Sequence, residues 1–213
     1  MNEQTDTRAY RQTARAKAAE QTGERIIAAF LARMRGGWFE EIRLEDVAAD
    51  AAVSVQTVIR RFGGKEGLLD ASRNRMRDDI LAARQLPSGD VGRALEAIIA
   101  EYEAHGELMM RALAQEDRYP QIKGMTDEGR TTHREWVGAV FAPWLAILEP
   151  GARCRAHDRL VIALDLYVWK LLRVDMKRSL AELRRAMLEM AAAALATTPQ
   201  ALIQARIPEN TDA

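Results

Sequence analysis

The sequence predicts an all-α protein of about nine helices, and three observations carry that expectation. Apolar residues recur at three- and four-residue intervals along nearly every patterned stretch. No segment alternates with the period of two that marks a half-buried strand. Several stretches also begin on capping residues and end on glycine or proline.

Thr22 is placed to cap a first helix whose apolar face is Ile26, Ile27, Phe30, Leu31 and Met34. Arg33 and Arg35 suit its last turn, and Gly36-Gly37 stop it. A short helix from Leu44 to Ala51 would bury Leu44, Val47, Ala48 and Ala51, with Ala48 small enough for a second helix to cross closely. Ser54 caps that second helix, where Val58 and Phe62 share one face and Val55 lies near its edge. A longer helix runs from Lys65 towards Arg84 until Pro87-Ser88-Gly89 breaks it.

Leu95, Ile98, Ile99 and Tyr102 line the next helix; Gly106 is expected to interrupt it before Leu108, Met109, Ala112 and Leu113 resume, ending ahead of Pro120. Thr126, with Asp127 and Glu128, opens a helix carrying Trp136, Val140, Phe141 and Trp144, with a kink expected at Pro143. After the turn at Pro150-Gly151 comes a strongly apolar helix with Leu160, Val161, Leu164, Tyr167, Val168, Leu171 and Leu172. The last long helix starts at Ser179, which forms a capping box with Glu182. The tail after Pro199 is expected to be loosely held.

Composition limits the function. The 213 residues hold 31 Lys and Arg against 31 Asp and Glu, so there is no chain-wide basic field, and nucleic-acid binding would rest on a local patch. Residues 1–84 carry 15 basic against 13 acidic side chains, a surplus of only two. The arm with Arg8, Arg11, Arg15 and Lys17 is more basic, a pattern equally that of a solvated terminus. No apolar run approaches the roughly 18 residues of a membrane span, and the start MNEQTDTR lacks a signal-peptide core. The expectation is a cytoplasmic protein without membrane contact. The single Cys154 excludes an intramolecular disulfide framework.

The helix capped by Ser54 leaves Gln56, Thr57 and Arg60 on the side away from its apolar face. These side chains can meet base edges and phosphates in a major groove, although a polar face is equally that of a solvated surface helix. Together with Trp38-Phe39, the stretch LEDVAADAAVSVQTVIRRFGGKEGLL resembles the DNA-binding region of the TetR/AcrR family of bacterial transcriptional regulators over roughly residues 22–70.

The resemblance implies a homodimer with an N-terminal, homeodomain-like helix-turn-helix domain (residues 1–66) and a larger helical ligand-binding and dimerisation domain (residues 67–213). It also implies a palindromic double-stranded DNA operator and a small-molecule effector, in a repressor that releases its operator when the effector binds. Carried over by position, Ser54, Val55, Gln56, Thr57, Ile59, Arg60 and Arg61 fall on the recognition helix, and Lys65 on the start of the connecting helix where a phosphate is held. Four positions depart from the family. Ile59 replaces a common Tyr, Val55 and Gln56 stand where Lys and Gly are frequent, and Arg43 occupies a site often filled by a capping Thr or Ser. Phosphate anchoring is therefore assigned to Arg43, Thr57, Arg61 and Lys65, and base contact to Gln56 and Arg60.

In the larger domain, QEDRYPQIKGMTDEGRTTHREWVGAVFAPW resembles the middle of one group within the same family, without implying a ligand. Tyr102, His105, Met109, Met110, Leu113, His133, Trp136 and Phe141 are placed around a cavity for an apolar or amphipathic compound, though their spacing is equally that of plain core. The apolar faces holding Leu164, Val168, Leu171, Leu172, Leu183, Met187, Met190 and Ala194 exceed what two terminal helices readily bury, which implies a partner subunit. A helical interaction module without ligand response is the second reading. An enzyme is a distant third: Cys154 and His157 form C-x-x-H without further ligands at a zinc-like spacing, and GGKEG lacks the pattern of a phosphate loop. No cofactor or metal is expected.

Overall fold

The computed structural model describes residues 3–204, which form eleven α-helices and no strand. The chain divides into two compact units, residues 1–76 with 117–121, and residues 77–116 with 122–213.

The first unit is built from α1 (Glu3–Gly36), α2 (Leu44–Asp50), α3 (Val55–Phe62) and the first part of α4 (Lys65–Ala83), with a 3-10 turn at Phe39–Glu41. Ile26, Phe30 and Met34 of α1 meet Phe39, Ile42, Val47, Ala48, Ala51, Val58, Leu68 and Leu69 in its core. Removing this apolar surface from water is the main stabilising term. Polar ties fix α1 to α2: Arg33 Nε reaches Asp50 at 2.7 Å, and Arg25 Nε donates to the Ala51 carbonyl at 3.3 Å, relieving one unpaired acceptor at the end of α2.

The first helix starts earlier than the cap expectation at Thr22. Residues 3–22 contain neither Gly nor Pro, so nothing stops the helix from extending back. Thr22 lies inside α1 and donates its hydroxyl to the Ala18 carbonyl at 2.8 Å, the back-bonding open to a helical Thr.

Between α2 and α3, Ala52 has φ 53°, in the left-handed region. A Cβ there costs roughly 1–2 kcal/mol, partly offset in comparison with glycine by the larger chain entropy glycine loses on folding. Ala52→Gly should therefore raise stability by about 0.5–1 kcal/mol, read as a shift of the urea midpoint with unchanged slope. At the far end of α3, Gly63 is the left-handed residue that closes the helix, its N–H donating to Ile59 O at 2.7 Å.

The second unit contains the end of α4 and α5 (Val91–Leu113), α6 (Pro120–Val140) from Ile122 onward, α7 (Ala142–Leu145), α8 (Pro150–Ala163), α9 (Leu166–Trp169), α10 (Leu180–Ala194) and α11 (Pro199–Gln204). Its core runs from Val91, Leu95 and Ile98 through Val137, Phe141 and Leu160 to Leu183, Met187 and Leu202. The capping box at Ser179 and Glu182 is present, opening α10.

Five expectations are corrected in this unit. Gly106 does not interrupt α5. It gives the Trp169 ring room to lie on the helix, since a Cβ there would come 2.5 Å from Trp169 Cη2. Thr126 does not open α6, which already begins at Pro120; its hydroxyl is instead held between the Glu116 carboxylate and the Lys123 carbonyl. A complete break at Phe141 replaces the kink at Pro143, with Pro143 in the first turn of α7 where its missing N–H costs nothing.

The fourth concerns the long apolar helix, which divides at Leu164-Asp165. Asp165 caps α9 by accepting from Tyr167 N at 2.8 Å, and a π-helical turn at Lys170–Asp175 follows. At the C-terminal end α11 is docked, with Leu202 fully buried, so the expected loose tail does not begin at Pro199. The remainder of that tail, residues 205–213, lies outside the described residues.

Candidate nucleic-acid interface

On α3 the inward residue is Val58, fully buried, whereas Gln56, Ile59, Arg60 and Arg61 are exposed and Val55 and Thr57 are half-buried. Ser54 caps the helix, its Oγ accepting from Thr57 N at 3.2 Å and lying 2.9 Å from Thr57 Oγ1. The cap holds the N-terminal turn, and with it Gln56, in one orientation. Gln56 and Arg60 are four residues apart and so lie one above the other on the exposed face, with Ile59 beside them.

The assigned anchoring residues differ in their freedom. Arg43 is exposed at the start of α2 and makes no side-chain cap, with Glu45 4.0 Å away. Arg61 lays its guanidinium over the backbone at Gly23, which has no side chain to prevent it. Lys65 is the most constrained. Its ammonium donates to the Glu40 carbonyl at 3.1 Å and sits 4.6 Å from the centre of the Phe39 ring. Burial holds it below the usual lysine value, opposed by the charge of Glu40. Of the basic arm, Arg15 and Lys17 are exposed on α1, and the side chains of Arg8 and Arg11 lie outside the described residues.

Glu40 is a junction that local sequence does not reveal. Its carboxylate accepts from Tyr119 Oη at 2.6 Å and pairs with Arg118 at 3.5 Å, and the Tyr119 ring packs edge-on against Phe39 at 5.2 Å. Residues 40 and 119 are 79 apart, beyond the reach of any local pattern.

Neither a protein-family model nor a curated protein matches the sequence. Solved structures do. A transcriptional regulator from Rhodococcus sp. Rha1 superposes with a TM-score of 0.64 at 21% identity, over 82% of this chain and 96% of that one. A TetR-family transcriptional regulator from Streptomyces coelicolor gives 0.61 at 19% identity, over 87% of this chain and 88% of that one. The fold is that of TetR-family regulators. A third structure of that family name, from Mesorhizobium loti, gives 0.57 at 19% identity over 84% of this chain and 96% of that one.

Within the larger unit of this TetR fold, the residues assigned to a cavity separate into two groups. Tyr102, His133, Trp136 and Phe141 are buried, whereas His105, Met109, Met110 and Leu113 are half-buried. Two charged side chains accompany the first group. Arg84 forms a two-pronged pair with Glu101, Nε to Oε2 and Nη2 to Oε1 both at 2.8 Å, with side chains only 7% and 5% exposed. The Arg84 guanidinium lies 4.9 Å from the centre of the Trp136 ring. Tyr102 Oη donates to the Leu164 carbonyl at 3.0 Å, and burial pushes its phenol well above the usual tyrosine value.

The sequence held a signal for this pair. Glu101 falls on the apolar stripe of α5, three residues after Ile98 and next to Tyr102, and a carboxylate in that register must either break the stripe or find a buried cation.

The residues assigned to a partner contact also divide in the TetR fold. Leu164, Leu183 and Met187 are fully buried and Ala194 nearly so, which fills the chain's own core rather than an outer face. Val168 and Leu172 are half-buried. Leu171 and Met190 are exposed, and so are Ile162, Tyr167 and Leu180, which the apolar periodicity did not mark for a partner. Periodicity defines an apolar stripe without saying which part of it the chain itself covers. Among the described residues no three His, Cys, Asp or Glu side chains group to hold a metal, and no helix is long and apolar enough to cross a membrane.

Proposed function

We propose that the protein is a DNA-binding transcriptional regulator that works as a homodimeric repressor and leaves its operator when a small compound binds the larger unit. The observation that carries DNA binding is the exposed face of α3, where Gln56, Ile59 and Arg60 stand free above a buried Val58 in a helix fixed by the Ser54 cap. Gln pairs with adenine and Arg with guanine by two-pronged geometry, and Ile59 suits the methyl group of thymine. Arg43, Thr57 and Arg61 supply phosphate contacts, and Lys65 joins them by exchanging its bond to the Glu40 carbonyl for a phosphate oxygen.

Gln56→Ala or Arg60→Ala should cost roughly 1–3 kcal/mol on the operator and relax preference at one position in each half-site. Lys65→Ala should weaken operator and scrambled DNA alike and flatten the logarithmic salt slope by about one unit for each phosphate no longer held. A salt titration of the three variants on both DNAs is the test. Unchanged sequence preference in Gln56→Ala and Arg60→Ala would remove the base-reading role.

Dimerisation is supported by the exposed apolar side chains of the C-terminal helices, led by Ile162 at 63%, Tyr167 at 57% and Leu171 at 53% exposed. Leu171→Glu introduces a charge into that surface without touching the folded core, so light scattering should fall from twice the chain mass to the chain mass, and operator binding should disappear with it. A wild-type monomer in light scattering would exclude the two-half-site mechanism. Release by ligand requires tighter binding to the DNA-free arrangement than to the bound one, since equal affinity shifts nothing. The continuous helix α4, which passes from the first unit into the second, is the element through which that preference reaches the DNA-reading helix.

A further inference from the structure

Two nitrogen atoms in the larger unit break the rule that buried polar groups find partners. Trp136 Nε1 and His133 Nδ1 are both inaccessible and have no hydrogen-bond partner among the described residues, although each side chain is more than nine-tenths buried. They are three residues apart on α6, with ring centres 6.1 Å apart and planes 32° from parallel. Leaving such groups unmet costs roughly 1–3 kcal/mol each, so two of them on one helix face call for an explanation.

The chemistry of that complement can be read from the surroundings. His133 Nε2 faces the Val161 carbonyl at 3.5 Å, which places the ring proton on Nε2 and leaves Nδ1 as a bare acceptor. The indole N–H of Trp136 is a donor only, and the Arg84 cation over its ring draws electron density away and strengthens it as a donor. The complement must therefore accept one hydrogen bond and donate another, as a hydroxyl group does.

Charge is excluded on two grounds. The fork of Arg84 that would greet a carboxylate is already occupied by Glu101, and the pair sums to zero, so a charged ligand would lose its hydration without a counter-ion. The core around Trp136 is apolar. Val161 and the half-buried Met109, Met110 and Leu113 pack against the same core, and Met side chains repack readily around a guest.

We propose that Trp136 and His133 form the recognition element of an effector site for an uncharged, mainly apolar compound bearing a hydroxyl group, which accepts from the indole N–H and donates to the imidazole nitrogen. This deepens the regulator reading by naming the effector's chemistry and rests on it for its consequence at the operator. The two side chains set specificity, and the Arg84–Glu101 pair screens out acids.

The test uses the full chain and three probes of one shape: 1-naphthol, naphthalene and 1-naphthoate. Calorimetry should show 1-naphthol binding about tenfold or more tighter than naphthalene, the worth of one to two satisfied hydrogen bonds, with 1-naphthoate the weakest. Trp136→Phe and, separately, His133→Phe should each cut the advantage of 1-naphthol over naphthalene severalfold, and the double variant should remove it, while naphthalene itself is bound as before. Circular dichroism identifies a variant that has not folded, and the ranking of the three probes on the wild type then decides alone. Equal binding of 1-naphthol and naphthalene, preference for the acid, binding of none of the three, or a preference that survives both substitutions would overturn the proposal. A separate anisotropy titration on operator DNA keeps the two readings apart: 1-naphthol selectivity without any DNA binding upholds the site and sinks the regulator, whereas DNA binding without 1-naphthol selectivity does the reverse.

Discussion

Glu101→Gln should destabilise the larger unit by about 3–5 kcal/mol, the cost of stranding a buried cation when its partner is neutralised. The size of the effect follows from burial. Arg84 and Glu101 are only 7% and 5% exposed, so neither can turn to water when the other is removed. The Arg84 guanidinium would keep its place over Trp136, keep one bond to the Gln oxygen and turn its other N–H towards the amide NH2, where the native pair has two bonds of 2.8 Å and a counter-charge. For a chain of this length that destabilisation corresponds to a fall of about 10 °C or more in melting temperature. Replacing both partners, as in Arg84→Met with Glu101→Leu, should recover most of the stability, because apolar pairs of similar volume fill a buried site at least as well as ions do. A double-mutant cycle in urea measures the coupling; additive costs for the two single changes would show that the pair does not act as a unit.

Acid should unfold the larger unit earlier than its carboxylates alone would dictate. Burial, followed by the charge of Arg84, lowers the His133 pKa from 6.5 to about 4. The sign follows from proton counting. Between pH 6.5 and about 4 the unfolded chain protonates this histidine and the folded chain does not, so stability is full above pH 6.5 and declines as pH falls through that window. The accumulated loss is on the order of 3 kcal/mol by pH 4.

The lowered pKa values of Glu116, held by Arg130, and of Asp127, held by Lys123, add their own losses at the acid end of this range and below it. His133→Phe isolates the histidine. The difference in stability between wild type and variant should change by the full amount between pH 7 and pH 4, and a difference that stays constant with pH would show that His133 titrates normally in the fold.

Much of the architecture was determined by local pattern. The stop at Gly36, the Ser54 and Ser179 caps and the extent of α4 all depend on residues within a few positions of one another, and such signals act before any tertiary contact forms. The inward set of α2 and α3 follows likewise, because a 3.6-residue period leaves only one arrangement of Val47, Ala48 and Val58 that faces the core.

Tertiary structure decided the rest, for reasons that involve distance in sequence. Gly106 reads as a helix breaker until Trp169, 63 residues later, lies on it. The apolar run through Leu164 and Leu171 reads as one helix and one surface, yet Asp165 divides it and packing sends Leu164 inward while leaving Leu171 exposed. The Arg84–Glu101 pair and the unmet nitrogens of His133 and Trp136 are set by how four helix faces close around one another. Periodicity specifies which residues share a face. The cost of burying a charge or an unmet hydrogen bond depends on what the opposite face brings, and only the folded chain determines that.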